Sequence, residues 1–100
     1  MEIEKEKNGN EITIFPIGRL DSNTAPQLEE EIHASMDDAE KLILDFKGLE
    51  YLSSAGLRVL LSVHKAFMKR GSGGLVIRHV NETIHEVFEV TGFLDILNIE

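Results

Sequence analysis

Two adjacent serines, Ser53 and Ser54, stand at the start of the longest helical pattern in the chain. A serine in this position commonly caps the helix, because its side-chain oxygen accepts a backbone N–H of the first turn. The same end of a helix also favours an anion, since the free N–H groups and the helix dipole stabilise negative charge. The two hydroxyls are therefore candidates for capping or for carrying a phosphate group.

The helical phase separates the two serines. With about 100° between successive residues, Ser54 lies beside Arg58 and Lys65 on the polar edge of the helix, which also carries Ser62. Ser53 points toward the apolar side. That side carries Leu57, Leu60, Leu61, His64, Phe67 and Met68, and Val59, Val63 and Ala66 widen it to an apolar arc of more than half the circumference. The pattern therefore predicts that Ser54 is the presented hydroxyl, at the top of a basic stripe on an otherwise acidic chain.

A hydrolytic role for Ser54 has little support. The segment Ser54-Ala55-Gly56 supplies half of the Gly-x-Ser-x-Gly turn of serine hydrolases, but Leu52 stands where the first glycine belongs. A chain of 100 residues is also too short for an α/β-hydrolase with its triad. The sequence therefore argues against a serine hydrolase.

The other chemistry-bearing residues point to no metal or cofactor site. The four histidines (His33, His64, His79 and His85) show neither i, i+4 pairing nor a carboxylate at ligand spacing. The glycine-rich segment 71–74 follows a helix and precedes a strand, which is the reverse of a phosphate-binding loop, and it is interpreted as a turn. The acidic run 29–31 either binds a basic partner or forms a solvated helix face, and the second interpretation is favoured.

Composition narrows the class of protein further. The chain has 100 residues, of which 42% are hydrophobic and 28% charged, and this predicts one globular domain spanning residues 1–100. Its net charge of −8 argues against binding to duplex nucleic acid or to an anionic membrane surface. The chain has no cysteine, no long apolar run and no secretory signal, so its expected location is the cytoplasm.

Strand and helix patterns alternate along the chain. Asn8-Gly9 predicts an N-terminal β-hairpin, whose second strand carries Pro16 near its end. Thr24 and Gln27 predict a capping box on the first helix. The remaining predicted elements are a connector at 18–21, strand 42–46, a loop at 47–53, helix 54–70, strand 75–80, a helix capped by Asn81 and ended by Gly92, and a short strand at 96–99. This order predicts an α/β fold with a mixed, mostly parallel sheet.

Taken together, three segments resemble the STAS domain family, and within it the anti-sigma factor antagonists. The segments are Gly18–Ala25, Leu42–Phe46 followed by Tyr51–Leu60, and Val90–Phe93. Their order and spacing cover nearly the whole chain. The resemblance implies one STAS domain, a four- to five-stranded sheet with helices mainly on one side, and a regulatory binding protein without a cofactor.

The resemblance also implies partner switching. An unphosphorylated antagonist binds an anti-sigma factor that is also a serine/threonine kinase, and this binding releases a sigma factor. The kinase then phosphorylates the antagonist at the start of its second long helix, and a serine phosphatase reverses the step. Alignment on Gly56-Leu57 places the phosphorylation site at Ser54. The family's aspartate before the acceptor is Ser53 here, so Ser53 is the alternative site.

For the antagonist, the expected partner surface lies at one rim of the domain, because a parallel sheet brings its loops to the same edge. The residues predicted to form it are Asp21, Ser22, Ser54, Arg58, Ser62 and Lys65. The free chain is expected to be a monomer. Other family members imply the alternative function, a STAS subunit of a transporter or of a stress-signalling complex that binds partners without being phosphorylated.

Overall fold

Six strands and three helices alternate along the chain, and the computed structural model describes residues 1–100. In chain order they are β1 (Glu2–Asn8), β2 (Glu11–Leu20), α1 (Ala25–Met36), β3 (Lys41–Asp45), β4 (Leu49–Leu52), α2 (Ser54–Arg70), β5 (Gly74–Arg78), α3 (Glu82–Thr91) and β6 (Asn98–Ile99). A 3-10 turn at Phe93–Asp95 separates α3 from β6. The predicted cap of the last helix is confirmed, since the Asn81 side chain accepts the Ile84 N–H at 2.8 Å.

The strands form a mixed sheet in the order β1-β2-β3-β5-β6. Only β1 and β2 are antiparallel, whereas the pairs β2–β3, β3–β5 and β5–β6 are parallel. β4 lies outside this order and pairs in parallel with the C-terminal end of β2. The prediction of an α/β fold with a mostly parallel sheet and an N-terminal hairpin is confirmed, but the strands number six rather than four to five.

β2 pairs in parallel with two different strands along its length. Its first half pairs with β3 as far as Ile14, and its end pairs with β4 from Gly18 to Leu20, with a bulge between Gly18 and Arg19. Gly18 has a φ of +110°, which only glycine adopts readily. The predicted connector at 18–21 and loop at 47–53 are therefore wrong in part, because both contain strand residues. β4 gives no strand signal because Leu49 and Leu52 are buried while the two residues between them are exposed, so burial does not alternate.

Two details of the hairpin differ from the prediction. The two-residue turn is Gly9–Asn10, because Asn8 already pairs with Glu11, and Gly9 supplies the positive φ of +64°. Pro16 lies within β2 rather than near its end. It falls between the stretch that pairs with β3 and the stretch that pairs with β4, where the parallel ladder is interrupted and a missing N–H is tolerated.

The hairpin strand β1 forms a free edge of the sheet. Its charges alternate, with Glu2, Glu4 and Glu6 interleaved with Lys5 and Lys7, and all of these side chains are exposed. Charged residues on an edge strand discourage other chains from adding to the sheet.

α1 and α2 cover one face of the sheet. The core joins alternate strand residues to the inner sides of the helices, and its fully buried members include Ile14, Leu44, Ile77, Leu28, Ile32, Leu60, Ile84 and Phe88. Ile43 and Val76 are buried outside this core, on the opposite face of the sheet. The expectation of helices mainly on one side is confirmed. None of the helices is long and apolar enough to cross a membrane.

The buried residues of α2 lie on one side of the predicted apolar arc, the side that carries Val59 and Val63, and do not fill its whole width. These residues are Gly56, Val59, Leu60, Val63 and Phe67, while Leu57, Leu61 and His64 are half-buried and Met68 is 68% exposed. An apolar arc wider than half a helix leaves the orientation open, because several stripes within it are equally able to face the core.

Candidate functional site

Ser53 holds the start of α2 in place. Its hydroxyl oxygen accepts the Ala55 N–H at 3.2 Å, and its carbonyl accepts the Leu57 N–H at 3.0 Å. Its own N–H donates to the Leu20 carbonyl at 2.9 Å, which ties the helix to the end of β2. The half-buried Ser53 side chain is therefore the N-cap of α2.

Ser54 is the first residue of α2 and is exposed to solvent. Its hydroxyl has no capping role, since Ser53 supplies the cap. A negative group on Ser54 would lie close to the free N–H groups of the first turn, which stabilise an anion. Of the two serines, Ser54 is thus the one whose hydroxyl is free to react or to be contacted.

Gly56 sets how closely the first turn of α2 approaches the sheet. A Cβ atom at this position would lie 2.9 Å from Cγ and Cδ2 of Leu20 and 3.0 Å from Cδ1 of Leu52. Since real Cβ atoms almost never come this close, only glycine allows the helix to rest on the ends of β2 and β4. This contact fixes the rotation of α2 and leaves Ser54 on the outside.

A shallow groove runs between α1 and α2 beside Ser54. It is lined by Ser22, Ala25, Pro26, Glu29, Ala55, Arg58, Val59 and Ser62. Three residues of the predicted partner surface therefore line one groove: Ser22 from the loop before α1, and Arg58 and Ser62 from α2. Lys65 is exposed two turns beyond Arg58 and does not line the groove.

Glu29 was not among the predicted site residues, but it lines this groove and is half-buried. The acidic run was interpreted as a solvated helix face, and for Glu30 this description holds, since its side chain is exposed. The sequence does contain a pattern that places Glu29 near the groove, namely its separation from Ala25. Glu29 follows Ala25 by four residues on α1, so both lie on the side that α2 approaches.

Asp21 organises the loop before α1. Its Oδ1 accepts the N–H of Asn23 at 2.9 Å and that of Thr24 at 3.2 Å. The Asn23 N–H makes the largest contribution to a lowered pKa of the Asp21 carboxyl, and Thr24 and the Arg19 charge add to it. The carboxylate is therefore already engaged within the loop, and Asp21 does not line the groove.

The predicted capping box on the first helix is wrong. The Thr24 hydroxyl accepts the Asp21 N–H at 2.9 Å and donates to the Arg19 carbonyl at 2.8 Å, so it makes no cap to α1. Gln27 instead donates to the Met1 carbonyl at 3.2 Å. The loop before α1 is held by its own hydrogen bonds, which a spacing rule for helix starts does not detect.

A second exposed feature lies at the ends of β2 and β4. Arg19 and Tyr51 are register partners in this parallel pair, and the Arg19 guanidinium carbon lies 4.4 Å from the centre of the Tyr51 ring. The Tyr51 residue is 37% exposed. Sequence reasoning missed both residues as site candidates, because the segments that hold them gave no strand pattern.

One buried carboxylate lies outside this region. Asp45 at the end of β3 is 6% exposed, and its carboxylate oxygens lie 2.9 and 3.0 Å from Nδ1 of His79. His79 has a φ of +57° in the turn after β5. No group of three or more acidic, histidine or cysteine side chains is placed to hold a metal ion.

Comparison with known proteins gives consistent matches over the chain. A family model described as the STAS domain matches residues 2–100. BtrV of Bordetella bronchiseptica, a provisionally named anti-sigma factor antagonist, is 42% identical over 83 residues, which are 82% of this chain and 71% of BtrV. The anti-sigma-B factor antagonist of Listeria monocytogenes is 31% identical over 97 residues, which are 96% of this chain and 84% of that protein.

The fold also has a solved counterpart. The phosphorylated form of SpoIIAA, a Bacillus cell fate determinant, matches with a TM-score of 0.75 and 17% sequence identity. The match covers 99% of this chain and 91% of SpoIIAA. At this identity the likeness concerns the fold alone.

Proposed function

The chain belongs to the STAS domain family, and we propose that it is an anti-sigma factor antagonist, a non-enzymatic cytoplasmic protein whose free form is a monomer. Its partner is an anti-sigma factor that is also a serine/threonine kinase, and binding releases a sigma factor. Phosphorylation of Ser54 ends the interaction, and a serine phosphatase restores it. The observation that carries the proposal is the exposed Ser54 hydroxyl beside the α1–α2 groove, in a chain with relatives named anti-sigma factor antagonists.

The position of Ser54 suits a switch that changes binding without changing the fold. A phosphate adds about −1.5 to −2 charges. In the free protein the N–H groups at the start of α2 and the guanidinium of Arg58, one turn further along, stabilise this charge. Against a partner the same charge has to leave water, and an uncompensated buried ion costs several kcal/mol. The phosphate therefore opposes the interface and not the domain.

The pull-down that tests the proposal uses lysate of the source organism, with and without ATP. We expect the chain to capture an anti-sigma factor kinase when ATP is absent. With ATP, capture is lost and mass spectrometry finds one phosphate on the chain. Capture of permease or ATPase subunits, with no phosphate on either serine, would contradict the proposal and support the function as a transporter subunit.

Kinase treatment is expected to modify Ser54 and leave Ser53 unmodified. Ser54 is exposed, whereas the Ser53 hydroxyl is half-buried and engaged with the Ala55 N–H. Phosphopeptide mapping locates the group on one residue or the other. The matched variants are Ser54→Ala, which should abolish labelling, and Ser53→Ala, which should keep it while losing about 1 kcal/mol of stability with the cap. Labelling that survives in Ser54→Ala would refute the assignment.

Charge reversal at Arg58 is expected to weaken partner binding about tenfold, since Arg58 lies in the groove and next to Ser54 on the helix surface. The matched control is Glu30→Lys, which reverses a charge on the exposed side of α1 outside the groove and should change the affinity less than about twofold. Titration calorimetry compares the two. A greater loss from Glu30→Lys would place the docking surface on the acidic face of α1.

A further inference from the structure

The partner surface proposed above lies on the groove side of Ser54, but a second exposed feature lies on the other side. Leu20 and Leu52, the last residues of β2 and β4, point into the core beneath Gly56. Because successive side chains of a strand point to opposite faces, Arg19 and Tyr51 project away from α2. They lie on the sheet face that α1 and α2 leave uncovered.

We propose that Arg19 and Tyr51 form a second anchor for the anti-sigma factor, so that its contact surface bends around the edge of the sheet at Ser54. The anchor fits a protein surface that offers an apolar side chain to the Tyr51 ring and a carboxylate to the Arg19 guanidinium. This inference rests on the proposed function and identifies a part of the interface that the groove does not include.

The anchor is continuous with the start of α2. Tyr51 precedes Ser54 by three residues, so their Cα atoms are at most about 10 Å apart. The residue after Arg19, Leu20, accepts the Ser53 N–H at 2.9 Å. A partner that covers the exposed Ser54 hydroxyl and extends by about 10 Å therefore reaches Tyr51 without a movement of α2 or β4.

The pair is also held in advance of binding. Arg19 and Tyr51 are register partners, and the guanidinium lies 4.4 Å from the ring centre, which restricts both side chains. A restricted side chain loses little further freedom on binding, and tyrosine and arginine are the residue types that most often dominate protein interfaces. With Arg58 on the groove side, two guanidinium groups flank Ser54, and the carboxylates of Asp21 and Glu29 offset part of their charge. Each guanidinium can still donate hydrogen bonds to a carboxylate on the partner.

The test compares Tyr51→Ala with Met68→Ala in titrations with the purified kinase captured in the ATP-sensitive pull-down. Met68 is even more exposed and lies fourteen residues beyond Ser54, about 21 Å along α2. We expect Tyr51→Ala to lower the affinity about tenfold or more, Met68→Ala to change it less than about twofold, and Tyr51→Phe, which keeps the ring, to stay within about threefold. Equal affinities of Tyr51→Ala and the parent chain would overturn the anchor.

A second measurement tests the anchor in the unsubstituted chain, so its result does not depend on whether a variant folds. Tyr51 is the only tyrosine in the chain, so labelling with 3-fluorotyrosine gives a single fluorine resonance. Its chemical shift should move when the kinase is added, and a shift that stays constant at saturation would overturn the anchor. The affinity of the phosphorylated parent chain for the kinase is measured in the same way, and it tests the proposed switch at Ser54 separately from the anchor at Tyr51. If its affinity equals that of the unphosphorylated chain, the proposed switch at Ser54 fails, whatever Tyr51 shows.

Discussion

Ser54→Asp is expected to weaken binding to the anti-sigma factor about ten- to a hundredfold while changing the free energy of unfolding by no more than about 1 kcal/mol. The stability is preserved because Ser54 is exposed and caps nothing, and because a carboxylate at the start of a helix interacts favourably with the dipole. Binding falls because the same charge has to be desolvated against the partner. One carboxylate carries less charge than a phosphate, so phosphorylation itself should cause the larger loss.

The control for this experiment is Ser54→Ala. It adds no charge and should bind close to normally, but the kinase has no hydroxyl to modify, so the antagonist stays active in the presence of ATP. Urea unfolding gives the stability of both variants and titration calorimetry gives their affinities. A loss of binding in Ser54→Asp that only follows a loss of folded protein would move the switch from the interface to the fold and contradict the proposed mechanism.

The largest loss of stability is expected from Gly73→Ala, in the turn between α2 and β5. A Cβ atom on Gly73 would overlap the carbonyl oxygen of Glu40, which accepts the Gly74 N–H at 3.0 Å. Gly73 also has a φ of +78°, where a side chain costs about 1–2 kcal/mol. Since relief of the overlap requires the backbone to move, at a further cost of about 1–3 kcal/mol, the total loss should be about 2–5 kcal/mol.

Gly71 provides a matched control within the same turn. Its φ is +79°, nearly that of Gly73, but a Cβ atom there would meet nothing within 4 Å. Gly71→Ala should therefore lose only the conformational contribution of about 1–2 kcal/mol. Urea unfolding of the two variants measures the difference, and equal losses would show that the contact with Glu40 is not restrictive.

The sequence was sufficient to predict which of the two serines is exposed, because local geometry alone decides this. Whether Ser53 or Ser54 is exposed depends on their phase at the start of a helix, and the helix begins where the pattern places it. The choice of buried stripe on α2 depends instead on a tertiary contact, the approach of Gly56 to Leu20 and Leu52. No helical period contains that information, so the pattern alone places Met68 on the same apolar arc as the buried residues although it is 68% exposed.

The missed residues share a physical cause. Tyr51 lies in a four-residue strand whose burial does not alternate, and this strand pairs with the end of β2 because the pairing of β2 with β3 stops at Ile14. Glu29 belongs to a run of three glutamates, and only the approach of α2 distinguishes it from its neighbour Glu30. The surroundings of Tyr51 and Glu29 both depend on how segments distant in sequence pack together, so a local sequence pattern does not identify either residue as a site candidate.

The charge alternation of β1 has a consequence for self-association. When two copies of this edge pair antiparallel with two-fold symmetry, the axis passes midway between a residue and the same residue of the other copy. Even-numbered residues therefore lie opposite even-numbered residues, and odd-numbered residues opposite odd-numbered ones. Glu2, Glu4 and Glu6 then face glutamates or Asn8, and Lys5 and Lys7 face lysines or Ile3, so each register that pairs at least two residues of β1 contains a Glu–Glu or Lys–Lys pair. Like charges placed directly opposite destabilise a strand pair. The symmetric dimer that an open edge would otherwise template is thus opposed in each of these registers, while a partner strand of different sequence meets no such restriction.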